Sequence, residues 1–108
     1  MIVLTCVAVP HAGREEECRA AARELTEASQ DHGMIGYFWT TDSVSPNIRV
    51  IEVHADAASV INHIARADVG RLAAAASFQD IVLFGDSPTP ALQDALSGFG
   101  DYAVHPTL

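Results

Sequence analysis

The sequence contains no lysine, and this absence leaves the chain strongly acidic. Six arginines stand against fourteen Asp and Glu residues, which gives the 108-residue chain a formal net charge of -8. A surface of this sign repels the phosphates of nucleic acids and the anionic head groups of membranes. We therefore expect no nucleic-acid partner and no membrane partner.

Cysteine is scarce as well. Cys6 lies in a predicted strand and Cys18 on a predicted helix, without the C-x-x-C spacing of redox or zinc motifs. Separate cysteines of this kind are typical of free thiols in a reducing compartment. The chain opens on strand-forming residues from Ile2 rather than on a charged leader and an apolar stretch. These features predict a cytoplasmic protein.

Long apolar runs and known catalytic signatures are also missing. The longest apolar stretches, such as 81–84, fall far short of the ~20 residues that span a bilayer. No HExxH, GxSxG, Gly-rich phosphate loop or dinucleotide fingerprint occurs, and the histidines are scattered. The sequence therefore predicts no metal site and no resident cofactor.

What the sequence does contain is an ordered series of strand and helix patterns. Hydrophobic periodicity, caps and turn residues predict strands at 2–9, 34–41, 48–54 and 78–84, and helices at 13–32, 57–65, 69–76 and from Pro90 onward. Asp56 is the predicted cap of the second helix and Thr89 that of the last. The tail from Tyr102 to His105 predicts a short edge strand. All of these elements fit one domain, with a core at 2–85 and a C-terminal helix and tail at 86–108.

The element order predicts an α+β fold. Strand, helix, strand, strand, helix, strand is the order of a ferredoxin-like split βαβ unit, an antiparallel sheet that carries both helices on one face. The first and last of these strands are apolar on both faces, so the sheet needs a cover on its second face too. A second copy of the chain supplies that cover, and we therefore predict a homodimer.

Most of the potential chemistry lies between residues 33 and 63. Two-residue periodicity puts Tyr37 and Trp39 on one face of the second strand, and Glu52 and His54 on one face of the third. If the connecting turn is centred at 44–45, Tyr37 lies opposite Glu52. His54, at the end of its strand, is either a further pocket group or an exposed residue.

Two short motifs in this region resemble a known family. The segments GMIGY at 33–37 and IEVHADAAS at 51–59, followed by His63 on the next predicted helix, resemble the antibiotic biosynthesis monooxygenases. Members of that family are dimeric α+β barrel proteins and include small quinol monooxygenases. The resemblance covers about 2–84, and motifs so short identify a fold more firmly than a reaction.

The resemblance implies a cofactor-independent monooxygenase that oxidises a hydroquinone or a polycyclic, polyketide-type aromatic with molecular oxygen. In such a reaction the deprotonated aromatic donates an electron to oxygen, while the protein supplies a dry pocket, a base and hydrogen-bond donors. The positions that match the family are Tyr37, Glu52 and His63. Together with the residues around them they give the predicted site, with His63 and Glu52 as catalytic residues and Tyr37, Trp39, His54 and Asn62 as substrate-binding residues.

The same residues also have structural interpretations. Tyr37 and Trp39 can be core or dimer-interface aromatics. Glu52 can pair with an arginine or a tyrosine, and His63 can be a hydrogen-bonded structural histidine. Asn62 lies about 100° from His63 around its helix, so the two do not face the sheet together. A non-catalytic dimeric small-molecule-binding protein, or a cyclase or isomerase using the same pocket, is therefore an alternative function.

Haem degradation, a reaction of another branch of the superfamily, is disfavoured. That branch uses an Asn on the first strand, a Trp near the end of the third strand and a haem-ligating His in the later helical segment. This chain has Thr5 and Cys6 on the first strand, His54 at the end of the third strand and a run of alanines at 73–76 in the later helical segment. The haem-binding residues of that branch are thus absent.

Overall fold

A computed structural model describes residues 1–108. The elements in chain order are β1 (Ile2–Pro10), α1 (Glu15–Ala28), β2 (Gly36–Thr41), β3 (Ile48–His54), α2 (Ala57–Arg66), α3 (Gly70–Ala75), β4 (Ala76–Gly85), α4 (Pro90–Ser97) and β5 (Tyr102–Pro106). They form a five-stranded sheet in the order β2-β3-β1-β4-β5. The first four strands pair antiparallel, and β5 runs parallel to β4. The predicted α+β, ferredoxin-like fold class is confirmed.

Two of the four helices begin at a side-chain cap. The Asp56 carboxylate accepts a hydrogen bond from Ser59 N at 2.9 Å and begins α2, and the Thr89 side chain caps α4 ahead of Pro90, both as predicted. Helix α1 is shorter than the predicted 13–32. It ends at Ala28, and the chain turns back at 29–32 before Gly33, whose φ of +79° suits glycine.

The helices pack on one face of the sheet, and the core there has two parts. One cluster joins α1 and α3 to the sheet and includes Leu25, Ile48 and Leu72. The other joins α2 and α4 to the sheet through Val60, Leu83, Leu92 and their neighbours. Between the clusters the packing is incomplete, and this gap holds the site described below.

A β-bulge in β4 shapes the sheet beneath that gap. The pairing of β1 with β4 shifts register between Thr5 and Val7, and Asp80 has a φ of 52°. The extra residue changes the alternation of the strand. As a result Phe78 and Ile81, which differ in parity, both face the helices and contribute to the same cavity wall.

The opposite face of the sheet carries apolar side chains and no helix. Strand pairing aligns Phe38, Ile51, Thr5 and Val82 in one row across four strands, and a second row includes Val53, Val3 and Phe84. Phe38 and Phe84 are 47% and 42% exposed. We call this surface the outer face.

None of the helices has the length and apolar character of a membrane span.

Candidate functional site

A cavity of about 80 Å³ lies between the two core clusters. Its walls are mainly apolar, with Leu25, Leu72 and Phe78 on one side and Leu4, Ile64 and Leu96 on the other. Glu52 and His63 are the carboxylate and the imidazole of this lining, which also includes Tyr37 and Trp39. Four residues predicted for the site thus surround one space.

The hairpin of β2 and β3 brings these groups together. Tyr37 pairs with Glu52 across the two strands, which is the register expected for a turn centred at 44–45. The Tyr37 ring lies 5.1 Å from the His63 ring, between centroids. Trp39 Nε1 donates a hydrogen bond to Tyr37 Oη at 3.1 Å, so the two aromatics support each other along the strand.

Glu52 is the buried carboxylate of the site, with 7% of its surface exposed. Its Oε1 lies 2.9 Å from His54 Nε2, and its Oε2 lies 3.7 Å from His63 Nε2. Arg66 and Arg71 are paired with the surface carboxylates of Asp31 and Glu24 and not with Glu52. The partners of Glu52 are therefore two imidazoles, those of His54 and His63.

His54 lies behind Glu52 and does not line the cavity. It is fully buried, and its Nδ1 lies 2.8 Å from Ser59 Oγ. With Glu52 ionised, His54 Nε2 must donate to the carboxylate, and the Ser59 hydroxyl can then donate to Nδ1. The structure therefore places His54 in contact with Glu52 and not at the cavity wall, where a substrate-binding residue was predicted.

The protonation of His63 is set chiefly by burial. Burial lowers the pKa of His63 from its usual 6.5, and the Glu52 carboxylate partly opposes this shift by raising it. The neutral imidazole is therefore the resting form at pH 7, and a neutral imidazole can accept a proton.

Tyr37 stays protonated under the same conditions. Burial raises the pKa of Tyr37 to about 12, and the nearby Glu52 carboxylate acts in the same direction, while the hydrogen bond from Trp39 opposes it. A neutral phenol keeps its proton as a hydrogen-bond donor to an oxyanion.

Asn62 also lies away from the cavity lining. Its Nδ2 donates to the backbone carbonyl of His32 at 3.0 Å, so it ties α2 to the turn after α1. This contact places the His32 ring against His63, with their Nδ1 atoms 2.8 Å apart. The structure thus gives Asn62 a role in holding the turn.

His32 is a site residue that the sequence analysis missed. It is 6% exposed and follows α1, where a histidine is readily interpreted as a helix-end residue. Its partner His63 lies 31 residues further along the chain. The only local signal is its position just before Gly33 and the GMIGY segment.

Cys6 contributes a thiol to the cavity wall. Burial raises its pKa to about 11, and the Glu52 charge adds to the effect. The thiol is therefore protonated at neutral pH and is a poor nucleophile. No three His, Cys, Asp or Glu side chains converge in a way that would hold a metal ion. The chemistry that this wall offers is proton transfer between His63, Glu52 and a bound molecule.

Several solved structures share this fold. The crystal structure of MupZ from Pseudomonas fluorescens matches with a TM-score of 0.75 at 16% identity, over 99% of this chain and 89% of that one. A crystal structure of an antibiotic biosynthesis monooxygenase matches with a TM-score of 0.66 at 18% identity, over 82% and 100%. PA3566 from Pseudomonas aeruginosa gives 0.60 at 18% identity, over 76% and 87%.

No protein-family model matches the sequence, and no curated protein does. At these identities the structural matches establish the fold and leave the reaction open. The predicted resemblance to the antibiotic biosynthesis monooxygenases is confirmed at that level.

Proposed function

We propose that the chain is a cofactor-independent monooxygenase that oxidises a hydroquinone or related aromatic with molecular oxygen. One observation carries the proposal. Three polar groups meet at the wall of an otherwise apolar cavity: the neutral imidazole of His63, the carboxylate of Glu52 and the phenol of Tyr37. A phenolic or carbon acid bound there meets a base inside a dry site, where charge interactions are strong.

The reaction needs no outside reductant. His63 takes a proton from the substrate, and the resulting anion passes one electron to oxygen. The two radicals combine into a carbon–oxygen bond, and the peroxide receives the proton back. Loss of water then leaves a carbonyl. In total, the CH₂ of an anthrone, or of the keto tautomer of a hydroquinone, and O₂ become C=O and H₂O, so the four electrons that reduce oxygen all come from the substrate.

The neighbours of His63 have distinct roles in this scheme. Glu52 lies 3.7 Å from His63 Nε2 and stabilises the imidazolium once the proton arrives. Tyr37 can donate its phenolic hydrogen to an oxyanion of the substrate. Trp39 holds the Tyr37 hydroxyl and forms part of the apolar wall. His54 and Ser59 keep the Glu52 carboxylate in place.

The size of the cavity favours small substrates. About 80 Å³ is less than the ~150 Å³ of an engineered cavity that binds benzene. A single-ring hydroquinone therefore enters only if wall side chains move, and a polycyclic substrate requires a larger opening. Phe99, which follows α4, and Ile64 are partly buried wall residues that can make such room.

A homodimer formed through the outer face belongs to this proposal. Its apolar rows across four strands and its two exposed phenylalanines suit a buried interface. A second copy of the sheet would cover the outer face and leave the helix-covered side, with its cavity, free to bind a substrate.

Oxygen uptake tests the reaction. The purified chain is offered monocyclic hydroquinones, naphthohydroquinones and anthrones, and oxygen consumption is followed together with product mass under ¹⁸O₂. We expect one labelled oxygen atom in the product and a kcat lower by roughly 10²–10⁴-fold in His63→Ala. His11→Ala, which removes an exposed histidine outside the cavity, serves as the matched control and retains the wild-type rate. Equal rates in His63→Ala and wild type would contradict the proposal.

A cyclase or isomerase is the second candidate, because proton transfer is the only chemistry that the polar groups of the cavity perform unaided. The same assay separates the two. A product of unchanged mass, formed without oxygen consumption and carrying solvent deuterium, supports the isomerase. Tight ligand binding with no conversion at all supports a non-catalytic binding protein.

A further inference from the structure

We infer that His32 and His63 act as one acid–base unit that connects the cavity to the protein surface. The inference rests on the proposed function for its catalytic consequence, but its geometry stands without it. The His32 Nδ1 and His63 Nδ1 atoms are 2.8 Å apart, which is a hydrogen-bond distance. Both rings are buried, with 6% and 5% of their surfaces exposed.

One proton has to lie between the two rings. Two bare nitrogens at this distance would repel each other, and so would two N–H groups, so one Nδ1 donates and the other accepts. The outer nitrogen of each ring then decides the state of the pair. His63 Nε2 faces Glu52 and the cavity, whereas His32 Nε2 lies 4.0 Å from the Asp31 carboxylate.

A neutral pair therefore has one bare outer nitrogen, at one end or the other. When the bare nitrogen is His63 Nε2, the unit is a base that faces the cavity. A proton accepted there gives a singly charged pair with N–H groups at both outer ends. Movement of the shared proton from one Nδ1 to the other transfers the charge to His32, and its outer proton can then leave.

The surface end is suited to this exchange. The Asp31 side chain is 75% exposed and forms an ion pair with Arg66 at 2.9 Å. The Arg66 guanidinium lowers the pKa of Asp31, so the carboxylate that lies 4.0 Å from His32 Nε2 is charged at neutral pH. At the opposite end, the Glu52 carboxylate acts to raise the pKa of His63.

The His32–His63 pair gives His63 a path for proton exchange that stays open when a substrate fills the cavity. A substrate that occupies the space next to His63 excludes water, so a His63 that is already protonated when the substrate binds cannot lose that proton to solvent through the cavity. His32 provides a route on the far side of the ring. His32 does not line the cavity and acts through His63, so it is a positioning and proton-relay residue.

The test replaces His32 by Asn. The amide of Asn can still form a hydrogen bond with His63 Nδ1, but it cannot take up or pass on a proton. Imidazole ¹⁵N shifts are recorded from pH 5 to pH 8 for wild type and His32→Asn. We expect coupled titration of both rings in wild type, because two cations cannot form 2.8 Å apart, and independent titration of His63 in the variant.

Turnover is the second measurement. In His32→Asn we expect kcat to fall roughly 10-fold to 100-fold with KM nearly unchanged, because the substrate contacts remain. Added imidazole should partly restore kcat in His32→Ala, where the missing ring leaves a space. Asn62→Ala, which removes the contact with the His32 carbonyl, is the control for a loosened turn, and imidazole should not restore its rate.

Identical His63 titration curves in wild type and His32→Asn would overturn the inference. If His32→Asn does not fold, as judged by circular dichroism, His32→Gln takes its place in the same titration. If no substrate for oxygenation is found, the proposed function fails, but the NMR titration still decides whether the two rings share one proton.

Discussion

The two faces of the sheet differ in what they bury, and β3 shows the difference within one strand. Its helix-facing residues include Val50, Glu52 and His54, all buried. Its outer residues include Ile51 and Val53, which are apolar yet only half-buried. Glu52 and His54 are thus buried, whereas the apolar Ile51 and Val53 are partly open to solvent, on the same side of β3 as the exposed Arg49.

This inversion has a physical reason. A buried polar group is tolerated where it has partners, and Glu52 has two imidazoles while His54 has a carboxylate and a hydroxyl. Apolar side chains that remain half-exposed have not gained the full free energy of burial, so rows of them on a surface are typical of an interface. The helix-covered face has partnered polar groups beside a cavity, whereas the outer face has partly exposed apolar rows that suit the proposed dimer.

The largest expected difference between the two faces is in the free energy of unfolding, when either of two adjacent residues on β4 is truncated to alanine. Leu83 faces the core and is fully buried, whereas Phe84 faces outward and is 42% exposed. We expect Leu83→Ala to lower the free energy of unfolding by about 2–5 kcal/mol at every protein concentration. The loss in Phe84→Ala should depend on concentration, since dimerisation contributes to it. Denaturant unfolding at two concentrations measures both, and equal concentration-independent losses would contradict the difference between the faces.

A charge on the outer face should abolish association. Ile51 lies in the middle of the apolar row that includes Phe38, Thr5 and Val82. In Ile51→Glu, burying an unpaired carboxylate at the interface costs several kcal/mol, so we expect a monomer by sedimentation velocity with a native circular dichroism spectrum. Ala65→Glu, at an exposed position of α2, is the control and should sediment as wild type. A wild-type chain that is already monomeric at micromolar concentration would refute the dimer.

The smallest effect concerns pH. The folded-state pKa of His63 is lowered from 6.5, so the unfolded chain binds the proton more tightly. The contribution of neutral His63 to the free energy of unfolding is complete above pH 6.5 and is lost as the pH falls through the pKa that His63 has in the folded chain. The loss is about 1.4 kcal/mol per unit of difference between the unfolded and folded pKa values. In Glu52→Gln the loss should be larger, because the charge that raises this pKa is gone. Urea unfolding between pH 5 and pH 8 tests this, and His63→Gln should show a flatter profile than wild type.

Local patterns were sufficient for the elements and for part of the site. A turn centred at 44–45 correctly gave the β2–β3 register that places Tyr37 opposite Glu52, although the sequence alone did not determine that centre. Strand periodicity correctly placed Trp39 on the same wall. The positions of His54 and Asn62 did not follow, because which neighbours they contact depends on how α2 packs against β3 and the turn after α1.

The amino-acid sequence by itself determined the order of strands and helices, the acidic surface and the side chains available for chemistry, since these depend on periodicity, caps and composition. Only the tertiary structure decided that His32 meets His63, that β5 joins the sheet parallel to β4 and that a cavity separates the two core clusters. Each of these depends on contacts between residues distant in the chain, and the free energy of such contacts comes from packing that no local pattern encodes.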